Sequence, residues 1–218
     1  MALYALRQLL SVVSVLLTVG GCAAGSAPPG RDAEAPPLPA IAGSLAAPTW
    51  VAGDLWVYEW SSGKESGTKT VEVLGLREAG GARYYVVRVG DAEHYYTEGL
   101  HWAAAVREGK VEARMAPAQP WFQWPLAPGA RWSGQSRFEH REAVVTHHDR
   151  FTVVGPESLD VPAGRYQAMK VTRETDKRDR DEYWYAPDVR WYVRWVGRRA
   201  DTEFDERLRE YRAAPRPR

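Results

Sequence analysis

Short segments in which apolar and polar residues alternate dominate the chain, and this pattern predicts β-strands. Alternation places successive side chains on opposite faces of a strand, and the segments are rich in the aromatic and β-branched residues that suit a sheet. Turn residues separate them at close spacing, as at Gly63, Gly80 and Gly90. Twelve segments are predicted as strands: 54–60, 68–76, 83–89, 92–98, 100–106, 111–115, 131–138, 142–154, 158–161, 165–173, 182–186 and 189–196.

The spacing of these segments predicts a mainly β domain, with a single curved antiparallel sheet or half-barrel. Residues 202–211 are ambiguous, because Phe204, Leu208 and Tyr211 lie at helical spacing although the position suits a closing edge strand. The strand is the favoured interpretation.

The stretch from Val161 to Val196 organises the predicted sheet. Pro187-Asp188 lies between two runs dense in aromatic and β-branched residues, and Pro followed by Asp suits a tight turn. The stretch therefore predicts a β-hairpin. Trp184, just before the turn, is expected to lie in the core.

Two places in the chain begin alike, which indicates a domain built from two similar halves. Gly53 precedes Trp56 by three residues, and Gly129 precedes Trp132 by three residues. A Gly permits a turn that most residues resist. Trp56 then starts a strand on which Tyr58 shares its face.

Four motifs in order along residues 50–196 carry a resemblance: Gly53-Asp54-x-Trp56-x-Tyr58, Trp124-Pro125-Leu126-x-x-Gly129-x-x-Trp132, Val161-Pro162-Ala163-Gly164-x-Tyr166-x-Ala168 and Trp184-Tyr185-Ala186-Pro187-x-Val189. The chain resembles a broad group of uncharacterised bacterial secreted proteins and lipoproteins. The resemblance implies a curved antiparallel sheet, similar in architecture to the half-barrels of lipoprotein-carrier proteins. Arg190 departs from the pattern, since such proteins often have Gly after the Val.

The N-terminus predicts export and lipidation. One basic residue, Arg7, precedes a short apolar run that ends in Gly20, Gly21 and Cys22. This layout is typical of a secretory signal, here residues 1–21, and the apolar run is short for a membrane span. Val19-Gly20-Gly21-Cys22 resembles the lipobox of bacterial lipoproteins, which implies acylation, palmitate included, on Cys22. An ordinary cleaved signal is the alternative.

The remaining chain divides into a tether, one domain and a tail. Residues 22–48 contain the lipidated Cys and a flexible tether rich in Ala, Pro, Gly and Ser. Residues 49–211 form the β-rich domain, and residues 212–218 form a disordered tail. Ala23 follows the anchor where an Asp would favour inner-membrane retention, so the predicted location is the cell envelope, at the outer membrane and facing the periplasm.

Charge and cysteine content exclude several classes of function. Removal of the signal removes one of 29 basic residues, which leaves 28 against 28 acidic residues. A balanced charge argues against nucleic-acid binding and against electrostatic docking on a membrane, so the lipid on Cys22 is the predicted membrane contact. Cys22 is the single cysteine, so the domain contains no disulfide.

The familiar catalytic motifs are absent from the sequence, and we expect no enzymatic activity and no cofactor. No Gly-x-Ser-x-Gly, His-Glu-x-x-His or phosphate-binding loop occurs. His147, His148 and Asp149 are the sharpest candidates for a metal site. On a strand, His148 points away from the other two, and a catalytic zinc needs three protein ligands. No metal site is therefore predicted.

Aromatic residues are the unusual feature of the composition, with ten Trp, eleven Tyr and four Phe. Most are expected in the core. Trp121, Phe122 and Trp124 lie instead in a Pro-rich connector between the halves, and they are the candidate contacts for a ligand or partner. The favoured interpretation is a plug that closes the end of the sheet; the alternative is an exposed lip around a concavity.

These features predict a lipid-anchored envelope protein without catalytic activity, and they leave its role open. A carrier of a hydrophobic ligand, such as a lipid or a lipoprotein acyl chain, predicts an apolar cavity. A scaffold that binds another envelope protein predicts a filled sheet. A hydrolytic enzyme with an unrecognised site predicts polar titratable groups that converge in a pocket.

Overall fold

The computed structural model of the chain describes residues 38–141 and 143–216. These residues form twelve β-strands and one short 3₁₀ turn, Pro187–Val189. The strands are β1 (Leu55–Ser62), β2 (Glu65–Ala79), β3 (Ala82–Val89), β4 (Ala92–Thr97), β5 (Trp102–Arg107), β6 (Lys110–Gln119), β7 (Arg131–His140), β8 (Ala143–Val161), β9 (Gly164–Thr175), β10 (Arg180–Ala186), β11 (Trp191–Arg198) and β12 (Glu203–Arg212).

Each strand pairs antiparallel with the strand that follows it, and β12 returns to pair with β1. The predicted mainly β fold and curved antiparallel sheet are confirmed. The half-barrel is not the arrangement observed, because the two edges join and the sheet closes as a barrel. Closure leaves the sheet without an unpaired edge. In the part of the chain that the structure describes, no helix is long and apolar enough to cross a membrane.

Two details of the strand assignment are decided by the structure. Residues 202–211 belong to a strand, β12, as favoured. The break predicted between the segments 142–154 and 158–161, at Gly155-Pro156, is wrong, because β8 continues through these residues to Val161. A bulge between Val153 and Gly155, with Gly155 at a φ of 148°, accommodates them without ending the strand.

The predicted hairpin between β10 and β11 is present. Pro187–Val189 forms its turn, and Trp184 is buried, 6% exposed. Arg190 follows the turn at a φ of 58°, a left-handed conformation that Gly adopts more easily. The Arg side chain gains an ion pair there, since its Nη1 lies 2.9 Å from Oδ2 of the fully buried Asp54.

The two halves repeat the same local hydrogen bonds, as their sequence similarity predicts. The amide of Gly53 donates to the carbonyl of Val73 on β2 at 2.8 Å, and that of Gly129 donates to Val153 on β8 at 2.8 Å. Both glycines have positive φ, 93° and 81°. A bulge follows each pairing, so strands β1–β6 and β7–β12 are two versions of one unit.

One end of the barrel, called here the closed end, is covered by residues 45–50, by the connector of residues 120–130 and by the β10–β11 turn. Leu45 pairs with Leu126 through two backbone hydrogen bonds. The indole nitrogen of Trp50 donates to the carbonyl of Arg190 at 3.0 Å. Asp54 accepts the amide of Ala214 at 2.9 Å, so the start of the predicted tail contacts this end.

Candidate functional site

A cavity of about 490 Å³ lies inside the barrel, above the closed end. Strands β1–β7, β11 and β12 line it together with Trp121 of the connector, and strands β8–β10 contribute no lining residue. Tyr96, Trp121 and Trp191 form an aromatic floor, and Trp50 packs against Tyr96 and Trp191 at ring-centroid distances of 5.4 and 4.7 Å without lining the cavity itself. At the other end Thr68, Arg88 and Gly90 are exposed lining residues and form the mouth.

The cavity exists because small side chains occupy inward positions of β5 and β6. Ala105 and Ala113 pair across these strands, and both are buried and line the cavity. Larger apolar side chains surround them, including Trp102, Met115 and Phe138. The cavity therefore has a mostly apolar wall with room beside the two alanines.

A polar cluster interrupts the apolar wall near β1, β2 and β12. Lys69 Nζ lies 2.6 Å from Glu206 Oε1, and Tyr192 donates its hydroxyl to the same carboxylate at 2.6 Å. Glu206 is 1% exposed, whereas the Lys69 side chain is 20% exposed. Tyr58 stacks on Tyr192 at 5.0 Å and donates to its backbone carbonyl at 2.9 Å. Burial of the Tyr192 hydroxyl, and to a smaller extent the negative charge of Glu206, raises the pKa of Tyr192 well above its usual value. This phenol therefore stays protonated.

His94 on β4 adds a second polar group to the wall. The indole nitrogen of Trp102 donates to His94 Nδ1 at 3.2 Å. An indole nitrogen only donates, so Nδ1 carries no proton and Nε2 must carry it. Burial, with Lys69 and Arg107 nearby, lowers the pKa of His94 to about 4. The buried Nε2 has no hydrogen-bond partner among the described residues.

The side of the barrel away from the cavity is filled, and it contains a buried ionic cluster. Arg173 on β9 bonds Asp149 of β8 at 2.9 Å and Asp181 of β10 at 2.6 Å. Asp149 also accepts from Gln119 at 2.9 Å, and Asp181 accepts from Trp195 at 3.1 Å. The cluster joins three strands and gives the acidic side chains cationic or amide partners, as buried carboxylates require.

The predicted ligand contacts Trp121, Phe122 and Trp124 occupy different environments. Phe122 is fully buried and packs on Tyr183 and Tyr185 of the filled side. Trp124 is half-buried and donates to the carbonyl of Gly99 at 3.1 Å. Trp121 is the one member of the three that lines the cavity.

Trp121 connects the two halves at the floor of the cavity. Its ring lies 6.2 Å from that of Tyr96 in the first half and 6.0 Å from that of Tyr183 in the second. Burial of Phe122 and these contacts agree with the plug interpretation. Trp121 belongs both to the plug and to the cavity lining. A connector that closes the end of the barrel can therefore also contact a ligand, and the two interpretations do not exclude each other.

The histidine cluster considered from the sequence does not come together. Asp149 faces the interior and binds Arg173, whereas His148 is exposed on the neighbouring position. Within residues 38–141 and 143–216, no group of three or more His, Cys, Asp or Glu side chains is placed to hold a metal ion. Cys22 lies outside the described residues.

Sequence reasoning missed the polar groups of the cavity: Lys69, His94, Tyr192 and Glu206. A signal for two of them was present. Lys69 has the spacing of the inward residues Val71 and Val73, and Glu206 has that of Leu208. A charged residue in register with buried apolar ones indicates an interior polar site, and two such residues on strands that flank β1 indicate a pair.

No protein family model matches the chain, and no curated protein matches it. Solved structures with a similar fold include an exported protein with a YmcC-like fold from Bacteroides fragilis, 14% identical, with a TM-score of 0.48 over 79% of this chain and 100% of that one. A lipoprotein from Parabacteroides distasonis is 11% identical, with a TM-score of 0.44 over 77% and 99% of the two chains.

The lipoprotein YmcC from Escherichia coli is 8% identical, with a TM-score of 0.39 over 74% of this chain and 84% of that one. Two of these neighbours are lipoproteins and one is an exported protein. Export and lipidation are stated for those proteins; for this chain they rest on its own N-terminal sequence.

Proposed function

We propose that this protein is a lipid-anchored protein of the bacterial envelope whose barrel binds a hydrophobic ligand, a lipid or a lipoprotein acyl chain, without converting it chemically. The observation that carries the proposal is the apolar cavity of about 490 Å³. Ligand sites are commonly concave, of about 300–1,000 Å³, and lined by apolar and aromatic side chains with a few polar groups. The cavity has this size and this lining.

The floor and the mouth of the cavity support a ligand that enters from one side. The floor is closed by the aromatic rings of Tyr96, Trp121 and Trp191, and these rings offer a ligand apolar contact. The mouth carries the exposed Thr68, Arg88 and Gly90. An elongated apolar molecule would enter there and contact the floor with its far end.

The non-catalytic part of the proposal is supported by the way the polar groups of the wall are used. Lys69 and Glu206 are paired with each other, and Tyr192 is bonded to Glu206. A general base or a nucleophile needs a polar group free to contact the reacting atom. Lys69, Glu206 and Tyr192 are bonded to one another, and this arrangement suits the positioning of a ligand better than its chemical conversion.

The anchor is the second part of the proposal, and Cys22 carries it. A single thiol directly after Gly20-Gly21 is the acceptor that a lipobox provides. Cys22→Ser should abolish labelling by radioactive palmitate in growing cells, and the labelled wild-type protein should fractionate with the outer membrane. An unlabelled wild-type protein would contradict the anchor and leave the cavity proposal standing.

Binding is tested with N-phenyl-1-naphthylamine, an apolar dye that brightens when it leaves water. We expect saturable binding to the unlipidated chain from residue 23 onward, which contains all described residues. Ala105→Phe should reduce the affinity at least tenfold, because the ring fills the space beside the dye. Ala104→Phe is the matched control: it is the same change on the same strand, at a half-buried residue outside the cavity lining.

Ala113→Phe is a second filling variant, at the partner of Ala105 on β6. Thermal melts establish that each variant is folded before its affinity is compared. Equal dye affinity in wild type, Ala105→Phe and Ala113→Phe would contradict binding inside the barrel. Loss of affinity in Ala104→Phe alone would place the dye on the outer face and contradict it as well.

A further inference from the structure

The ionic groups that line the cavity are already paired, which restricts the charge of a ligand. Its three carboxylates have cationic partners: Glu206 with Lys69 at 2.6 Å, Glu112 with Arg107 at 2.9 Å and Glu72 with Arg88 at 3.9 Å. An ionic ligand head would bring a charge without a counter-ion into a mostly apolar space. An unpaired charge away from water is costly, so the wall disfavours both anionic and cationic heads.

The same wall presents hydrogen-bond donors to the cavity. Lys69 Nζ lies 2.6 and 2.7 Å from the two oxygens of Glu206 and 3.3 Å from the Tyr192 hydroxyl, and the long contact to Tyr192 is the one that a ligand oxygen could replace. The Lys69 side chain is 20% exposed and lines the cavity. His94 has a protonated Nε2 without a partner among the described residues. Lys69 is the partly exposed donor of this wall, and an acceptor oxygen on a ligand could take the hydrogen bond that Lys69 makes at 3.3 Å to Tyr192.

We propose that the ligand is an uncharged amphiphile, with an apolar chain in the cavity and an ester or amide carbonyl oxygen that accepts a hydrogen bond from Lys69 and lies on the His94 side of the wall. This inference rests on the proposed function and narrows it to neutral acyl lipids. Lys69 is held in place for this role by Glu206 and Tyr192. The Lys69 ammonium also lies 5.2 Å above the ring of Tyr58, which fixes it further.

Competition between matched compounds tests the inference in the wild-type protein. N-Phenyl-1-naphthylamine is displaced from the unlipidated chain by four competitors with the same alkyl chain: a methyl ester, a carboxylate, a trimethylammonium and the plain hydrocarbon. A hydrogen bond from a charged donor contributes about 1.5–3 kcal/mol, so the ester should bind about ten- to a hundredfold more tightly than the hydrocarbon. The two ions should bind more weakly than the hydrocarbon.

A charge-neutral double variant locates the acceptor contact. Lys69→Met with Glu206→Gln removes the donor without leaving a buried carboxylate unpaired, and the ester should then lose its advantage over the hydrocarbon. Lys170→Met is the matched control, since Lys170 also lies between two carboxylates, Glu157 and Glu182, but is not part of the cavity lining. The control should keep the preference for the ester.

The outcomes separate this inference from the proposed function. Absence of dye binding to the wild type would contradict the proposed function itself. Dye binding with an equal affinity for ester and hydrocarbon, or with tighter binding of the carboxylate or the ammonium, would overturn only the neutral-head inference. A free monoacylglycerol and a synthetic diacylated lipopeptide share the ester, and the tighter of the two identifies the source of the acyl chain.

Discussion

The barrel has a hollow side and a filled side built on the same pattern of strand pairs. One row of paired residues crosses the first half in the order Val87, His94, Ala105 and Ala113. The corresponding row crosses the second half in the order Val171, Tyr183, Trp195 and Glu206. The rows correspond because Val73 pairs with Val87 just before a bulge, and Val153 pairs with Val171 just before a bulge.

The difference between the rows explains where the cavity lies. Ala105 of the first half corresponds to Trp195 of the second half, so the first half lacks one side chain of large volume, and Trp195 itself lines the cavity. Ala113 likewise corresponds to the longer Glu206. A closed sheet fixes the distance between its walls, and the neighbouring strands cannot collapse to fill the space. Two alanines in one row are therefore enough to leave a cavity in the first half of the barrel.

The filled side has a different task, which is to hold the barrel together. Phe151, Val153, Met169 and Val171 are at most 1% exposed. The Arg173 cluster bonds β8, β9 and β10 through side chains. The residues that stabilise the barrel thus lie mainly away from the cavity that we propose as the binding site, and substitutions on the two sides should have different consequences.

Loss of the central cation of the filled side should have the largest effect. Arg173→Met removes the cationic partner of the buried Asp149 and leaves Asp181 with Arg199 as its remaining cation, and removal of one member of a buried pair costs about 3–5 kcal/mol. Urea unfolding monitored by tryptophan fluorescence measures the change. Arg83→Met is the control, because Arg83 and its partner Glu98 are 56% and 51% exposed and the surface pair contributes about 0–1 kcal/mol. Equal losses in the two variants would contradict a structural role for the cluster.

His94 gives the hollow side a pH dependence that its counterpart Tyr183 cannot give. Its pKa of about 4 in the folded chain lies below the ordinary value of 6.5, so the unfolded chain binds a proton first as the pH falls. The stabilising contribution is present above pH about 6.5 and is lost between about 6.5 and 4, by roughly 3 kcal/mol. Unfolding free energies of wild type and His94→Gln across this range should converge towards the acid end. Parallel pH profiles would contradict a neutral buried His94.

Truncation of methionine compares the two sides with identical chemistry. Met169 is fully buried on the filled side, and Met115 lines the cavity. Met169→Ala should cost about 2–5 kcal/mol, and Met115→Ala about half as much, because its side chain already borders open space and loses fewer contacts. Urea unfolding of both variants measures the ratio. A larger loss at Met115 would mean that the cavity is closed in solution.

Replacement of an alanine by leucine should have the smallest effect on the free energy of unfolding. The effect should be stabilising on the hollow side and destabilising on the filled side. Ala105→Leu adds apolar atoms to open space and should change the free energy of unfolding by less than about 1 kcal/mol, in the stabilising direction. Ala168→Leu forces the same atoms into a fully buried position and should destabilise by about 1–3 kcal/mol. Thermal melts suffice for this comparison. Destabilisation of similar size at both sites would contradict the hollow side.

The strands and the turns could be predicted from the sequence, because both depend on residues that are close together in the chain. Alternation fixed which residues of β1 face inward, and the Pro187-Asp188 signal located the β10–β11 turn. Gly155-Pro156 was misread because a bulge and a turn use the same residues. Closure of the sheet depends on pairing between β1 and β12, which lie at opposite ends of the domain, and no local pattern specifies that pairing.

The cavity was less predictable than the fold, since an empty volume depends on the sum of many side chains. Ala105 and Ala113 are ordinary residues in the sequence, and only their register opposite each other makes space. The aromatic connector was correctly recognised as a closing element, and Trp121 was named as a ligand contact without any means of separating it from Phe122. The alternation of polar and apolar residues predicts that Lys69 and Glu206 face the interior. That they contact each other could not be predicted, because the contact depends on closure of the sheet.

Diffraction from crystals grown with the methyl ester of an ω-brominated fatty acid tests the hollow side most directly. The account predicts anomalous bromine density inside the barrel, between Ala105, Ala113 and the aromatic floor at Tyr96 and Trp121, with the ester oxygen at Lys69. The filled side should show no change around Phe151 and Met169. A bromine peak on the outer face, or a first half whose walls have closed over the alanines, would contradict the account.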